Sequence, residues 1–212
     1  MLHHAINQPD LRYNRKLETR LITEPSGQPV TLQEARDFLA VTTTDADILI
    51  NSVLLASVSH VEQQVRRAFM PQTWEVCYPS FPLDGEPMRP VFPPTISITS
   101  VSYFDLAGVS QTWNSSNYTS ILFQGPRPSP GVVRPNVGVA YPSTYERDDA
   151  VTIRFVAGYV NPEQIPKQLR YAILMLMAHW YEHREAVAEN GVQLAKVGLA
   201  YDSIINSHRW YG

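Results

Sequence analysis

Cysteine is nearly missing from this chain: Cys77 is the one thiol in 212 residues. That excludes an intramolecular disulfide framework and any multi-cysteine zinc site, and a reducing cytosolic setting is expected. A surplus of one charge is missing too, since 17 Lys plus Arg face 20 Asp plus Glu, for a net charge of −3. Without a basic run, tight contact with a nucleic-acid backbone is not expected. Long apolar runs are absent. The most apolar stretch, Ala172 to Ala178, is far shorter than the roughly 18 residues of a membrane span. The start, MLHHAINQPDLRYNRKLETR, has no apolar core of a signal peptide, so no membrane partner is expected. Also lacking are G-x-x-x-x-G-K-[ST], G-x-G-x-x-G and G-x-S-x-G, which removes the usual phosphate cradles and the serine-nucleophile elbow. No cofactor is expected.

What is present begins at Ala150 to Arg184, AVTIRFVAGYVNPEQIPKQLRYAILMLMAHWYEHR, where the periodicity changes at one point. Val151, Ile153 and Phe155 alternate with Thr152 and Arg154 as in a half-buried strand. Gly158 and Pro162 then break the run, and Pro166 opens a helix expected to reach Glu189. From Ala172 to Met177 that helix is apolar on nearly every side, which asks for more cover than a small monomer supplies. Asn190-Gly191 stops it. The last 20 residues, with Tyr201, Ile204, Ile205, Trp210 and Tyr211, read as a short docking helix or as an apolar anchor for another protein.

The length suits one whole domain, or a helical body with a lobe attached, rather than a fragment. Residues 1–30 carry mixed charge with Pro25, Gly27 and Pro29, and read as an arm that is extended or ordered by a partner. Thr31 and Glu34 have capping-box spacing, and Leu32, Ala35, Phe38 and Leu39 form the stripe of a first helix. A second helix, with Thr44 or Asp45 as N-cap, is expected to run to about Phe69 through Leu54, Val58, Val61 and Val65, antiparallel to the first. Between 71 and 165 lie 13 of the 17 prolines. Strands are expected there at 73–78, 96–103, 119–123, 138–141 and 151–156. The run GPRPSPG at 125–131 reads as a rigid connection between strands, or as a docking loop. The fold class is therefore α+β: a small bundle of three or four helices (31–70 and 166–212), with a β-rich, proline-rich lobe (71–165) inserted between the second and third main helices.

His179, Trp180, Tyr181, Glu182 and His183 spell H-x-x-E-H, which puts two imidazoles one helical turn apart beside a carboxylate, as in inverted zinc peptidases. A zinc hydrolase is thereby the enzymatic alternative. Glu185 and Glu189 lie on the same helix, too near to act as the separate third ligand, so packing and a polar face are the expected roles and no metal is assigned. Asp148 and Asp149 read as a solvated turn, and Cys77, with no basic neighbour in sequence, as structural. Arg66 and Arg67 are candidates to face a DNA-bearing lumen or a neighbouring chain, against an ordinary solvated role. Leu174, Met177, Trp180, Tyr181, Arg184, Trp210 and Tyr211 are candidate interface residues, because aromatic and apolar anchors bury large area at little rotamer cost.

In order along the chain, Glu24-Pro25 through Thr31-Leu32-Gln33-Glu34-Ala35-Arg36, Asp45 to Ile50, Val61 to Arg67, and Pro71-Gln72-Thr73-Trp74 are followed by three later stretches. These are Ile98 to Asp105 with Gly108, Val151 to Tyr159, and Ile165-Pro166 leading to Ala178-His179-Trp180-Tyr181-Glu182-His183-Arg184-Glu185. Over residues 22–189 this order resembles the tailed-phage head-tail connector (adaptor) proteins, the gp6-like and gp8-like connector family. The resemblance implies a non-enzymatic structural subunit of a virion, made in the host cytoplasm. It would form a ring, of twelve copies in the virion, between the portal protein and a stopper or tail-completion protein. DNA would pass through the lumen without sequence-specific binding. A stopper or tail-completion protein is itself the alternative structural reading. The long polar arm and the proline-rich 125–135 loop depart from a simple family member.

Overall fold

A computed structural model describes residues 18–123, 125, 128–183 and 198–211. Helices gather around one apolar cluster and strands around a second. Helix α1 (Leu32–Leu39) begins with the expected capping box: Thr31 Oγ1 accepts from the Glu34 amide at 3.1 Å, and the Thr31 amide donates to Glu34 Oε2 at 2.8 Å. Helix α2 (Asp47–Val65) starts later and ends earlier than its periodicity suggests. The Asp47 amide donates to Thr44 O at 3.1 Å, so a turn precedes the helix and Ala46, not Thr44 or Asp45, takes the N-cap position. At the other end Arg66 turns left-handed at φ 55°, and residues 66–69 leave the helix although Phe69 stays in the core.

Strand β1 (Glu18–Thr23) is an edge that the sequence pattern did not reveal, and it pairs antiparallel with β2 (Gln72–Tyr78). With β3 (Thr95–Phe104), β4 (Ser110–Thr112) and β7 (Val151–Ala157), the sheet order is β1-β2-β7-β3-β4. Every neighbouring pair is antiparallel. The alternation read in 151–156 is correct: Val151, Ile153 and Phe155 are fully buried, while Arg154 faces out and pairs with Glu75 across the strands at 2.6 Å. Strands β5 (Tyr118–Ile121) and β6 (Val132–Pro135) form a separate antiparallel pair, joined by the proline-rich run. Residues 138–141 are not a strand, because the Val139 amide folds back onto Asn136 O at 3.0 Å and Gly138 takes φ 78°.

Gly158 links the sheet to the helices. Its φ is 120°, and a Cβ there would lie 2.2 Å from Met70 O, so only glycine lets β7 end against the 70–71 backbone. The neighbouring amides of Gly158 and Tyr159 donate to Pro94 O and Phe69 O at 2.9 and 3.1 Å. Helix α3 (Lys167–Glu182) follows, with Pro166 at its N-cap. Its expected continuation to Glu189 lies outside the described residues. Helix α4 (Leu199–His208) packs on both α2 and α3, which makes the C-terminal segment a docking helix of its own subunit. Among the described residues no helix is long and apolar enough to cross a membrane.

Candidate functional site

The C-terminal end of α2 is where most of the polar structure converges. A helix leaves its last carbonyls without intrahelical donors. Here the C-terminal segment supplies them: Arg209 Nε donates to Gln64 O at 2.7 Å, and the Trp210 amide to Val65 O at 2.8 Å. The Tyr201 hydroxyl donates to Gln64 Oε1 at 2.8 Å, and burial pushes its pKa up to about 12. Arg67, only 6% exposed, ties the same place together by donating through Nε to His208 O at 2.7 Å and through Nη1 to Pro128 O at 2.8 Å. This corrects its assignment as a lumen-facing or neighbour-facing group, because its guanidinium is consumed inside the subunit. Arg66, beside it, remains on the surface.

Next to this junction, α2, the 24–29 loop and the sheet border a solvent-open pocket of about 440 Å³, lined by Leu55, Val58, Pro25, Trp74 and Phe92 among others. Glu62 opens onto it. One carboxylate oxygen accepts from the Phe69 amide at 2.5 Å and from Gln72 Nε2 at 3.0 Å, and burial outweighs those bonds and pushes the pKa up to about 7. Nothing in the periodicity of α2 distinguished this carboxylate.

The candidate interface residues on α3 separate by direction. Met177 is 0% exposed and sits one turn after Ile173 in the subunit's own core, which corrects its reading as a surface anchor. Leu174, Trp180 and Tyr181 are partly buried at the edge of that core, Trp180 meeting His60 edge-on at 5.4 Å. Trp210 is half-buried and Tyr211 exposed, whereas Arg184 lies outside the described residues. His179 and His183 do lie one turn apart, their rings tilted at 31° and 4.5 Å between centroids, with His183 Nδ1 2.9 Å from His179 O. Among the described residues, no group of three His, Cys, Asp or Glu side chains is placed to hold a metal ion. Cys77 is buried against Thr152 Oγ1 at 3.6 Å, and burial raises its thiol pKa, which suits a structural role. Asp149 pairs with Arg147.

Two helix faces point outward without charge. On α2 they are Ile48, Ser52, Leu55, Ala56 and Ser59, all exposed and opposite the buried Ile50, Leu54, Ser57 and Val61. On α3, Tyr171 is exposed and Leu174, Met175 and Ala178 are half-covered, opposite Leu169, Ile173 and Leu176. The α2 face was not singled out from sequence. Its signal is the run from Ile48 to Val61, which contains no acidic residue, lysine or arginine.

Residues 143–209 match the sequence model of the phage gp6-like head-tail connector protein family. The span takes in β7, α3 and α4, so the strand-to-helix joint and the docked C-terminal helix carry the match. No curated protein sequence matches the chain. The fold is similar to that of a chain in the neck of an empty gene transfer agent particle computed with C6 symmetry. There the TM-score is 0.70 at 19% identity, covering 92% of this chain and 96% of that one. A chain from the virion of the native gene transfer agent particle aligns with TM-score 0.67 and 20% identity, and one from the native neck computed with C12 symmetry with 0.66 and 19%. Both have the same coverage as the first. The resemblance to connector proteins read from sequence therefore holds in the family match of the last third, and nearly the whole chain shares its fold with chains of the gene transfer agent particle.

Proposed function

We propose that this chain is a structural head-tail connector subunit of a tailed-phage-like particle, located in the neck of the virion. The observation that carries this reading is the coincidence of two independent likenesses on one chain. A connector family match lies over residues 143–209, and a neck-chain fold runs through 92% of the length. In the finer reading, 31–70 and 166–212 form the wall of a ring of twelve, the 71–165 lobe lies at its periphery, and the subunit does no catalysis. The ring docks on the portal protein on one side and on a stopper or tail-completion protein on the other. DNA passes through without being gripped, which a net charge of −3 favours, since a strongly basic lumen would hold the duplex. Apolar surface on α3 beyond what one core absorbs fits a cyclic contact that buries two faces of each subunit.

The test is to mix the purified chain with the portal protein of its own particle and to measure mass and shape by native mass spectrometry and electron microscopy. A twelve-subunit ring stacked on the portal is expected. A chain that stays monomeric and leaves the portal bare overturns the reading.

A further inference from the structure

We infer that the two charge-free helix faces are the halves of one contact between copies of this chain: the outward face of α2 in one copy packs on the outward face of α3 in the next. The inference rests on the ring reading above and names the surfaces that reading leaves open. On α2, Ile48 is 86% and Leu55 46% exposed, and between them and Ser59 three helical turns present no charge to water. A solvent-facing helix ordinarily carries Lys and Glu there. Its hydroxyls are already engaged within the helix. Ser52 Oγ donates to Ile48 O at 2.8 Å, so covering it strands no donor, and Ser59 Oγ accepts from Gln63 Nε2 at 3.4 Å.

The same chain carries the complement. Ser52, Ala56 and Ser59 are small, and α3 offers larger side chains to set against them in Tyr171, Leu174 and Met175. Tyr171 is 49% exposed and held edge-on by Phe38 at 5.9 Å, so its ring is presented rather than folded away. The charges at the ends run in opposite order. Asp45 precedes and Arg66 follows the α2 face, whereas Lys167 precedes and Glu182 ends that of α3, all four on the surface. Parallel packing brings the acidic end of each face toward the basic end of the other.

Position decides that the occupant is a second copy in a head-to-tail array. Helices α2 and α3 turn their buried faces toward one core, and α1 and α4 each touch both of them. The outward faces consequently look to opposite flanks of the helical body. Unlike patches on opposite flanks cannot pair through a two-fold axis, and they propagate from copy to copy until a ring closes.

The experiment compares ring formation by the wild-type chain, Ala56→Glu, Ala178→Glu and the double variant Ala56→Glu/Ala178→Lys, with the portal protein present. Melting temperature serves as a control, because both positions point away from the core. Each single variant should lower ring yield at least about tenfold, since it buries an uncompensated carboxylate, and the opposite-charge double variant should recover it. Oxidising a mixture of Ser52→Cys and Met175→Cys chains should link one to the other, with neither linking to itself. Normal rings from Ala56→Glu, or self-linking of Ser52→Cys alone, overturn this contact and leave the ring standing. Absence of rings from the wild-type chain overturns the ring reading and this contact together.

Discussion

Glu62 makes the stability of this subunit fall as pH rises through neutrality, and Glu62→Gln should abolish that fall. In the folded chain burial pushes the carboxyl from its ordinary 4.5 up to about 7. Below pH 4.5 both folded and unfolded chains hold the proton and the site is silent. Between 4.5 and 7 the folded state binds more proton than the unfolded one, so unfolding free energy declines with pH, and above 7 the full cost is present. At about 1.4 kcal/mol per pH unit, the gap amounts to about 3 kcal/mol. Glutamine keeps an oxygen where Oε1 accepts from the Phe69 amide and the Gln72 side chain, and it removes the charge. Urea unfolding at fixed ionic strength, from pH 5 to 8.5, should show the two proteins within about 1 kcal/mol near pH 5 and the variant more stable by about 3 kcal/mol at pH 8.5. Glu34 and Asp149 act in a different window. Burial pushes Glu34 up, but its bonds from Thr31 and Arg170 win and hold it low, while Asp149 is held low by Arg147. Their contribution is present above the unfolded carboxylate range and is lost only as pH drops below about 4. Parallel profiles for wild type and Glu62→Gln between pH 5 and 8.5 would refute the reasoning.

Gly158→Ala sets a Cβ 2.2 Å from Met70 O at a φ of 120° and should cost on the order of 3 kcal/mol or more, read as a drop in the urea midpoint. A loss under 1 kcal/mol would mean that the 70–71 backbone yields easily. Arg67→Met keeps the stem but leaves His208 O and Pro128 O without their donor, at about 2–4 kcal/mol. Hydrogen exchange in α4 should rise much more than in α3, and equal rises would show that Arg67 supports the whole body rather than the docked C-terminal helix.

The elements that could be read in the sequence are those whose local signals agree with their tertiary setting. The Thr31 and Glu34 box, the alternation of 151–157 and the Pro166 start of α3 each satisfy propensity and burial together. The elements missed are edges. β1, ETRLIT, is exposed at five of its six positions, so it has no buried face to write a period of two, and it exists because β2 offers a free ladder. β6 is four residues ending in Pro135, and its Val133 exchanges backbone bonds with Met88, a contact with no local signature. The expected end of α2 at Phe69 failed for another reason. Phe69 keeps the apolar spacing because it is core, but Glu62 captures its amide and Arg66 turns the chain, so periodicity measured burial and not helicity.

The proposed contact is only partly legible in the sequence for the same reason. Apolar excess on α3 announces that something more than one core must be covered, yet it cannot apportion residues between the core and a neighbour. Periodicity gives a helix direction only relative to its partners, and those partners are α1, α2 and α4. Once they are placed, Met177 belongs to the inside, and Tyr171, left out of the interface set, belongs to the outside. Arginine misleads in the opposite sense. Arg66 and Arg67 are adjacent and chemically identical, but the left-handed turn at Arg66 sends the second guanidinium inward to carbonyls from residues 128 and 208. α2 carried the plainer clue in what it lacks: from Ile48 to Val61 it has no carboxylate, ammonium or guanidinium, although half of that surface faces away from the core. A charge-free outward face costs a monomer solubility and gains it nothing, so its presence is accounted for when another surface covers it.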